Sequence, residues 1–435
     1  MKITVIGVGY VGLVTATCLA ELGNEVLCVK KSTTNLEELN QGMSPIYEPG
    51  LSEMLQKNLA EGKISFTTNM KKAVNFSEIM FVCVGTPQSD TGKADLSQVE
   101  EVSRQIAQNA EGYRLIIEKS TVPVNTHQLI KRTVERYAKE DFEFDVASNP
   151  EFLREGYAVY DFMNPDRLVV GIDSERAEGI FKEIYKPFTG KGVKLFITKT
   201  AAAEIIKYAS NSFLAIKISY INMLADLCEK AGVDVNMVAD GIGADNRIGR
   251  DFLNAGIGYG GSCLPKDVKA FISIAESYDL DFGLLNETES INKNRRKQFL
   301  QKVEDVLWVN KDKKIAIWGL AFKADTDDIR EAPSIDIVRG LMKTGAQLRL
   351  HDPEAMGNFS KIIPPNDCLK YYEDKHEALD GADALLVITD WEDFKSADLD
   401  IMKKIMKLPI VIDGRNIYNK DNMDKKGFEY YSIGR

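Results

Sequence analysis

Ile3-Thr4-Val5-Ile6-Gly7-Val8-Gly9-Tyr10-Val11-Gly12 is the stretch from which the fold is read. Strand-forming residues lead into Gly-x-Gly-x-x-Gly, and an apolar segment of helical length, Gly12–Leu22, follows. In that setting Gly7 permits the tight turn and Gly9 lets backbone approach a pyrophosphate. Gly12 lets helix pack on strand, and the N–H groups of the first helical turn face the phosphates. The glycine pattern alone is weak evidence. Placed between a strand and a helix it predicts dinucleotide binding, against the alternative of a glycine turn used only for packing.

Outward from this turn, strand-like runs recur at Glu25–Val29, Ile79–Val84, Leu115–Ile117, Asp145–Ala147 and Leu168–Val170, separated by segments such as Leu51–Asn58 and Leu96–Ala107. Apolar strands alternating with helices predict an α/β fold with a doubly wound parallel sheet. From about Thr200 the period changes. Ile206, Phe213, Ile216, Tyr220, Met223 and Leu227 recur at spacings of three, four and seven, which predicts one long amphipathic helix. At about 1.5 Å per residue, a helix of roughly 30 residues spans about 45 Å, enough to join domains and offer a face to a second subunit. Strand-like runs return at Ile315–Trp318, Gln347–Leu350, Ala384–Ile388 and Ile410–Ile412, and Ile315-Ala316-Ile317-Trp318-Gly319 echoes the opening stretch. The expected domains are residues 1–198, 199–308 and 309–435: two α/β domains around a helical middle.

Beyond the first glycine turn, an acid is expected at the end of the second strand to bind the adenosine ribose. Lys30-Lys31-Ser32-Thr33 stands there instead. These cations and hydroxyls suit a 2′-phosphate and hence NADP; alternatively they form a solvated loop before a helix capped by Ser32, Thr33 or Thr34.

The chain of 435 residues carries 55 Lys+Arg and 65 Asp+Glu, a net charge of −10, which argues against a general nucleic-acid or anionic-membrane binder. No apolar run approaches the roughly 20 residues of a membrane helix, and no signal-like segment precedes the first strand. The six cysteines lack metal-ligand or disulfide-ladder spacing, so no metal is expected and five of the six read as core packing. A cytoplasmic protein is the expectation.

Cys263 is different. It follows Gly256-Ile-Gly258-Tyr-Gly260-Gly261-Ser262 and precedes Leu264-Pro265-Lys266-Asp267. The glycines let backbone approach a ligand, and Pro265 suits the first turn of a helix running to about Glu276. A thiol just ahead of a helix N-terminus, one turn from Lys266, is set up to ionise and act as a nucleophile. Asp267 is placed to orient a water or balance the charge.

With these motifs in order, the chain resembles the UDP-glucose/GDP-mannose dehydrogenase family, the nucleotide-sugar 6-dehydrogenases. The resemblance runs through Gly7–Gly12, Tyr47-Glu-Pro-Gly50, Val84-Gly-Thr-Pro87, Ser120-Thr-Val-Pro123, Ser148-Asn-Pro-Glu151-Phe-Leu-Arg-Glu155-Gly156 and Glu204-Ile-Ile-Lys207-Tyr-Ala-Ser-Asn211. It continues through the cysteine loop, Gly319-Leu-Ala-Phe-Lys323, Asp327-Asp-Ile-Arg330 and Asp413-Gly-Arg-Asn-Ile-Tyr418. It implies two Rossmann-like domains joined by a central helical one. It also implies a four-electron oxidation of the C6 alcohol of UDP-glucose to a carboxylate, using two NAD in turn.

The same resemblance implies that Cys263 captures the aldehyde as a thiohemiacetal, which passes through a thioester to the acid. Lys207 corresponds to the lysine supporting alcohol deprotonation, and Asn211, four residues on, to the oxyanion donor. Asp267 and Thr121 correspond to the holders of the catalytic water, and Glu151 to the residue assisting thioester hydrolysis. Taken alone, Lys207 and Asn211 read as solvent-facing helix residues.

Tyr10, Val11, Thr86, Thr121, Glu155, Lys266 and Arg330 correspond to cofactor contacts. Lys30 departs from the family's aspartate, and Asn35 stands where a lysine is usual. Phe152, Leu153, Phe252, Leu253, Asn254, Ala255, Gly256, Gly260, Phe322, Lys323 and Arg415 correspond to substrate contacts, together with Glu151, Lys207 and Asn211. Arg247 resembles an arginine that enters a neighbouring subunit's site, in keeping with a homodimer through the central helix.

Ser-Cys-Leu-Pro-Lys-Asp matches the wording of GDP-mannose dehydrogenases. The glycine loop and the Asp413–Tyr418 ending lean to UDP-glucose, and Ser262 argues against the N-acetylhexosamine branch. Lys30 also admits a non-catalytic nucleotide-sugar sensor, against which the joint presence of Cys263, Lys207, Asn211 and Asp267 argues.

Overall fold

The computed structural model describes residues 1–88, 94–139 and 142–435. It divides into two compact units, Met1–Ser210 with Ser273–Asp279, and Asn211–Ile272 with Leu280–Arg435.

The first unit is built on β1 (Lys2–Ile6), β2 (Glu25–Val29), β3 (Ile64–Thr67), β4 (Ile79–Val82), β5 (Arg114–Glu118), β6 (Phe144–Ser148), β7 (Arg167–Gly171) and β8 (Lys194–Thr198), in the order β3-β2-β1-β4-β5-β6-β7-β8. β1 to β6 are parallel, and apolar clusters cover both faces. The wholly parallel sheet expected from the strand–helix alternation is corrected at one edge. β7 meets β6 antiparallel, through Ser148 and Gly171, and carries β8 parallel to itself. A parallel return needs a crossover helix of some length, whereas the only helix between β6 and β7 is the six-residue Ala158–Met163.

The reversal of strand order falls between β1 and β4, so their carboxyl ends open a crevice of the kind that binds nucleotides. The glycine turn lies there. Gly7 adopts φ +100°, donates its N–H to Val29 O at 3.0 Å, and sits so close to the β4 end that a Cβ would lie 2.5 Å from Cys83 O.

The second unit repeats the pattern with β9 (Lys314–Trp318), β10 (Gln347–His351), β11 (Leu369–Tyr371), β12 (Ala384–Val387), β13 (Ile410–Asp413) and β14 (Glu429–Tyr431), all parallel in the order β11-β10-β9-β12-β13-β14. Gly319, φ +101°, takes the place of Gly7 and donates its N–H to His351 O at 2.9 Å. In the same unit Ile221, Ala225, Val235, Phe299 and Val303, from the helical middle, share one core with Ile315, Ile317 and Val338.

The long helix runs from Thr200 to Ala231. Its buried residues are largely small or polar, among them Ala203, Lys207, Asn211, Ala215, Asn222 and Ala225. Phe213 and Leu227, 61% and 63% exposed, and Tyr220 and Met223 look outward. Ile206 and Ile216 are half-buried, Ile216 against Tyr259, Val268 and Leu285, so the chain covers only part of the apolar stripe read from the sequence. Two other expectations are corrected. Cys368 is exposed rather than core packing, while Cys18, Cys28, Cys83 and Cys228 are buried. The short helix Leu36–Asn40 has Asn35 at its N-cap, in the left-handed region, and none of Ser32, Thr33 or Thr34 caps it. Among the described residues no helix is long and apolar enough to cross a membrane.

Candidate active site

In the first unit, Gly9 stands at the N-cap of the helix Tyr10–Glu21 and supplies no side-chain cap. A Cβ on Gly12 would lie 1.9 Å from Gly7 O, whereas one on Gly9 would meet nothing within 4 Å. Gly12 is thus a packing glycine and Gly9 faces open space. An open cradle at a helix N-terminus fits the pyrophosphate of a dinucleotide.

The Tyr47–Gly50 motif supports that cradle. The Tyr10 hydroxyl bonds the Glu48 carboxylate, which also accepts Gly156 N and Ala158 N, both at 2.7 Å. One buried carboxylate thereby ties the glycine helix to the Glu155-Gly156 loop. Burial first, then Glu48, raises the Tyr10 hydroxyl's pKa, so it stays a donor. Thr86 and Thr121, at the carboxyl ends of β4 and β5, meet directly: the Thr86 hydroxyl donates to Thr121 O at 2.8 Å.

Glu151 and Lys207 form a buried pair at 2.7 Å, and Lys207 also donates to Glu151 O at 2.6 Å. The solvent-facing reading of Lys207 and Asn211 is corrected, since they are 3% and 7% exposed. Burial would raise the Glu151 carboxyl, but the Lys207 charge and hydrogen bond, the Leu153 N–H and Lys119 outweigh it and hold it below the ordinary range. Phe152 lies 5.5 Å from Lys207 Nζ and 4.2 Å from the Arg167 guanidinium. Lys119, bonded to Asn149 O and Oδ1 at 3.2 and 3.3 Å, is lowered to about 8 by burial, against the pull of Cys83 and Glu151. Glu204 accepts Asn125 N and His127 N, so it anchors the segment after Ser120–Pro123.

In the second unit, Cys263 directly precedes the helix Leu264–Glu276, half-buried, with Ser262 Oγ 3.5 Å from its Sγ. Asp267, 1% exposed, accepts Asn211 Nδ2 at 2.6 Å and pairs with Lys266 Nζ at 2.8 Å. Lys266 is therefore partly neutralised by its neighbour, and the helix N-terminus remains as electrostatic support for a thiolate.

The glycine loop is pinned by side chains. Gly256 N donates to Asn222 Oδ1 at 2.9 Å and Tyr259 N to Asn292 Oδ1 at 2.8 Å. A Cβ on Gly260 would lie 2.4 Å from Glu331 O, and one on Gly261 would lie 2.7 Å from the Phe322 ring. This close packing brings the loop against Phe322 and the Arg330–Glu331 backbone.

Arg415 serves the loop as much as a ligand: it donates to Ile388 O, Gly258 O and Phe322 O at 2.7, 3.0 and 3.2 Å. A guanidinium has five N–H donors, so two remain for other partners. Leu253 and Ala255 are buried, Phe252 takes φ +64°, and Asn254 accepts Arg250 at 2.9 Å. Lys323 Nζ lies 5.7 Å from the Phe322 ring. Arg330 is exposed and bonded to Asp328. Arg247, its side chain 89% exposed, pairs with Asp245.

Sequence reasoning passed over Glu48, Glu204 and Asp413. Asp413 is a buried acid that accepts Arg415 N, Tyr418 N and the Tyr430 hydroxyl. Each lies inside a motif quoted above, so the signal was an acid within an otherwise apolar or glycine-rich run. Asn222 and Asn292 had none; only the tertiary contact marks them.

Residues 1–189, 201–294 and 316–420 match the NAD binding, central and UDP binding domains of one family. The UDP-glucose 6-dehydrogenase of Rhizobium meliloti is 45% identical, covering all of both chains. UDP-glucose 6-dehydrogenase TuaD of Bacillus subtilis is 44% identical over all of this chain and 93% of its own. The solved UDP-glucose dehydrogenase of Pyrobaculum islandicum superposes with a TM-score of 0.90 at 36% identity, covering 99% of this chain and 96% of that one. The open glycine cradle of the first unit, the cysteine–helix junction of the second and this end-to-end likeness together place the chain in the UDP-glucose/GDP-mannose dehydrogenase family.

Proposed function

We propose that the chain oxidises UDP-glucose to UDP-glucuronate in two successive NAD-dependent steps. The observation that carries this reading is the start of the helix Leu264–Glu276. There a thiol stands at the helix mouth after a glycine loop, and the acid four residues on is buried against Asn211. NAD supplies the hydride acceptor, two equivalents for each sugar.

Lys207 assists removal of the C6 hydroxyl proton and stabilises the oxyanions, with Asn211 as the neutral donor. Cys263 Sγ adds to the aldehyde carbon, forming a C–S bond in a thiohemiacetal; its oxidation gives a thioester, and attack of one water releases the acid and the thiolate. A thiolate suits this because it both attacks and leaves readily. Asp267 and Thr121 hold the water, and Glu151, kept ionised by Lys207, assists hydrolysis.

Val11, Thr86, Glu155, Lys266 and Arg330 contact the cofactor. Phe152, Leu153, residues 252–256, Gly260, Phe322, Lys323 and Arg415 contact the sugar nucleotide. The three sections 1–198, 199–308 and 309–435 divide the work into dinucleotide binding, thiol chemistry with dimerisation, and UDP binding. The homodimer forms on the outward stripe of Phe213, Tyr220, Met223 and Leu227, whose exposure in the single chain supports it. Arg247, extended into solvent, then serves the neighbour's site. The protein works in the cytoplasm.

The test measures reduced cofactor formed with UDP-glucose, GDP-mannose and UDP-N-acetylmannosamine, for wild type and Cys263→Ser. UDP-glucose is the expected substrate, with two reduced cofactors per sugar, and Cys263→Ser stops short of that stoichiometry. Turnover of only one of the other two sugars, or of none, refutes the substrate. Full stoichiometry in Cys263→Ser refutes the covalent route.

A further inference from the structure

The end of β2 differs from an ordinary NAD site in a way that the rest of the fold makes legible. Gly7 N bonds Val29 O, and the next residue, Lys30, donates its N–H to Thr67 O at 3.0 Å. Lys30 therefore lies beside the glycine turn, between the carboxyl ends of β2 and β3, where the adenosine ribose of a dinucleotide is held. Lys31, Ser32, Thr33 and Thr34 follow, all exposed, and the first acid after Lys30 is Glu37. The Glu101 carboxylate, paired with Arg104, feels the charge of Lys31.

The second unit provides an internal comparison. There Gly319 N bonds His351 O, and the following residue, which takes the place of Lys30, is Asp352. Its carboxylate folds back and accepts Leu320 N and Ala321 N at 2.6 and 3.1 Å, occupying the turn's own amides. Among the described residues of the first unit no side chain takes the turn amides in this way. The residue at that position is Lys30, so its charge is reversed.

We propose that Lys30, with the hydroxyls of Ser32 and Thr33, is a seat for an adenosine 2′-phosphate, so that this chain takes NADP as well as NAD. An acid here would accept the two ribose hydroxyls and repel a 2′-phosphate; an ammonium attracts the phosphate as a point charge. The proposal rests on reading the first glycine turn as a dinucleotide site and extends it to the phosphorylation state of the cofactor.

The test needs no turnover. Binding of 2′,5′-ADP and of ADP to the whole chain is compared by calorimetry without sugar nucleotide. The 2′-phosphorylated probe is expected to bind at least about tenfold tighter, equal to about 1.4 kcal/mol, with the advantage shrinking as salt screens the exposed pair. Lys30→Asp should remove that advantage or invert it while leaving ADP binding in place, which also reports an intact fold. Equal binding of the two probes to wild type, an unchanged ratio in Lys30→Asp, or no binding of either probe overturns the proposal. If the ratio behaves as expected and UDP-glucose is not oxidised, the substrate reading fails while the phosphate seat stands.

Discussion

Replacing Lys207 by Met removes a charge and keeps most of the side-chain volume. In the wild type both members of the pair are almost fully enclosed, with side-chain exposures of 4% for Lys207 and 6% for Glu151. After the change, the Glu151 carboxylate keeps the Leu153 N–H at 2.6 Å and the more distant field of Lys119. Breaking a buried pair from one side costs about 3–5 kcal/mol, because the remaining charge is left uncompensated.

The cost depends on pH. In wild type the pair holds the Glu151 carboxyl below its unfolded value, so its stabilisation is present above that value and is lost as pH falls through the lower folded one. In Lys207→Met the carboxyl is raised by burial, so the variant loses stability as pH rises. The difference between the two proteins should therefore widen from about pH 5 to pH 8. Urea unfolding of wild type, Lys207→Met and Lys207→Met/Glu151→Gln at both pH values measures it. The double variant should recover about 2 kcal/mol or more, since no Glu151 carboxylate is left buried without Lys207. A cost below about 1 kcal/mol at pH 8, with the double variant no better than the single, would show that the pair is not the buried electrostatic unit described here.

Two further perturbations test the cradle and the sheet beneath it. Gly12→Ala places a methyl group against Gly7 O and should lower Tm, whereas Gly9→Ala, opening on empty space, should leave Tm within a degree or two (a cost below about 0.5 kcal/mol) yet weaken NAD binding about tenfold or more; equal thermal losses in both would contradict the division of labour. Burial raises the Glu118 carboxyl to about 8, against the Ser120 hydrogen bonds. The native state then keeps a proton that the unfolded chain releases above the ordinary carboxylate value, and stability falls as pH rises toward 8. Glu118→Gln should flatten that slope, gaining up to a few kcal/mol on wild type at pH 8 relative to pH 5; parallel pH–stability curves would remove Glu118 from the account.

Sequence alone determined the elements whose chemistry is local. β1 with its glycine turn, the central strands buried on both faces, the long helix and the position of Cys263 before a helix were all legible. Each follows from a short-range pattern: a two-sided apolar run, a 3.6-residue period, or a glycine or proline with one permitted conformation. The edge strands β3, β8, β11 and β14 went unread because a half-exposed strand carries no continuous apolar signal.

Tertiary structure alone decided the rest. The reversal at β7 depends on what a short helix can span, and the direction of the long helix's apolar stripe depends on what the same chain packs against it. That Lys207, Asn211 and Asp267 are buried and paired rather than solvated follows from desolvation, which is set by neighbours distant in sequence. The same holds for Glu48 and Asn292, ordinary polar residues until the fold delivers the backbone amides they bind. A residue's conformational preferences belong to its own few atoms, but the environment that sets its charge and partners is assembled only when the chain closes on itself.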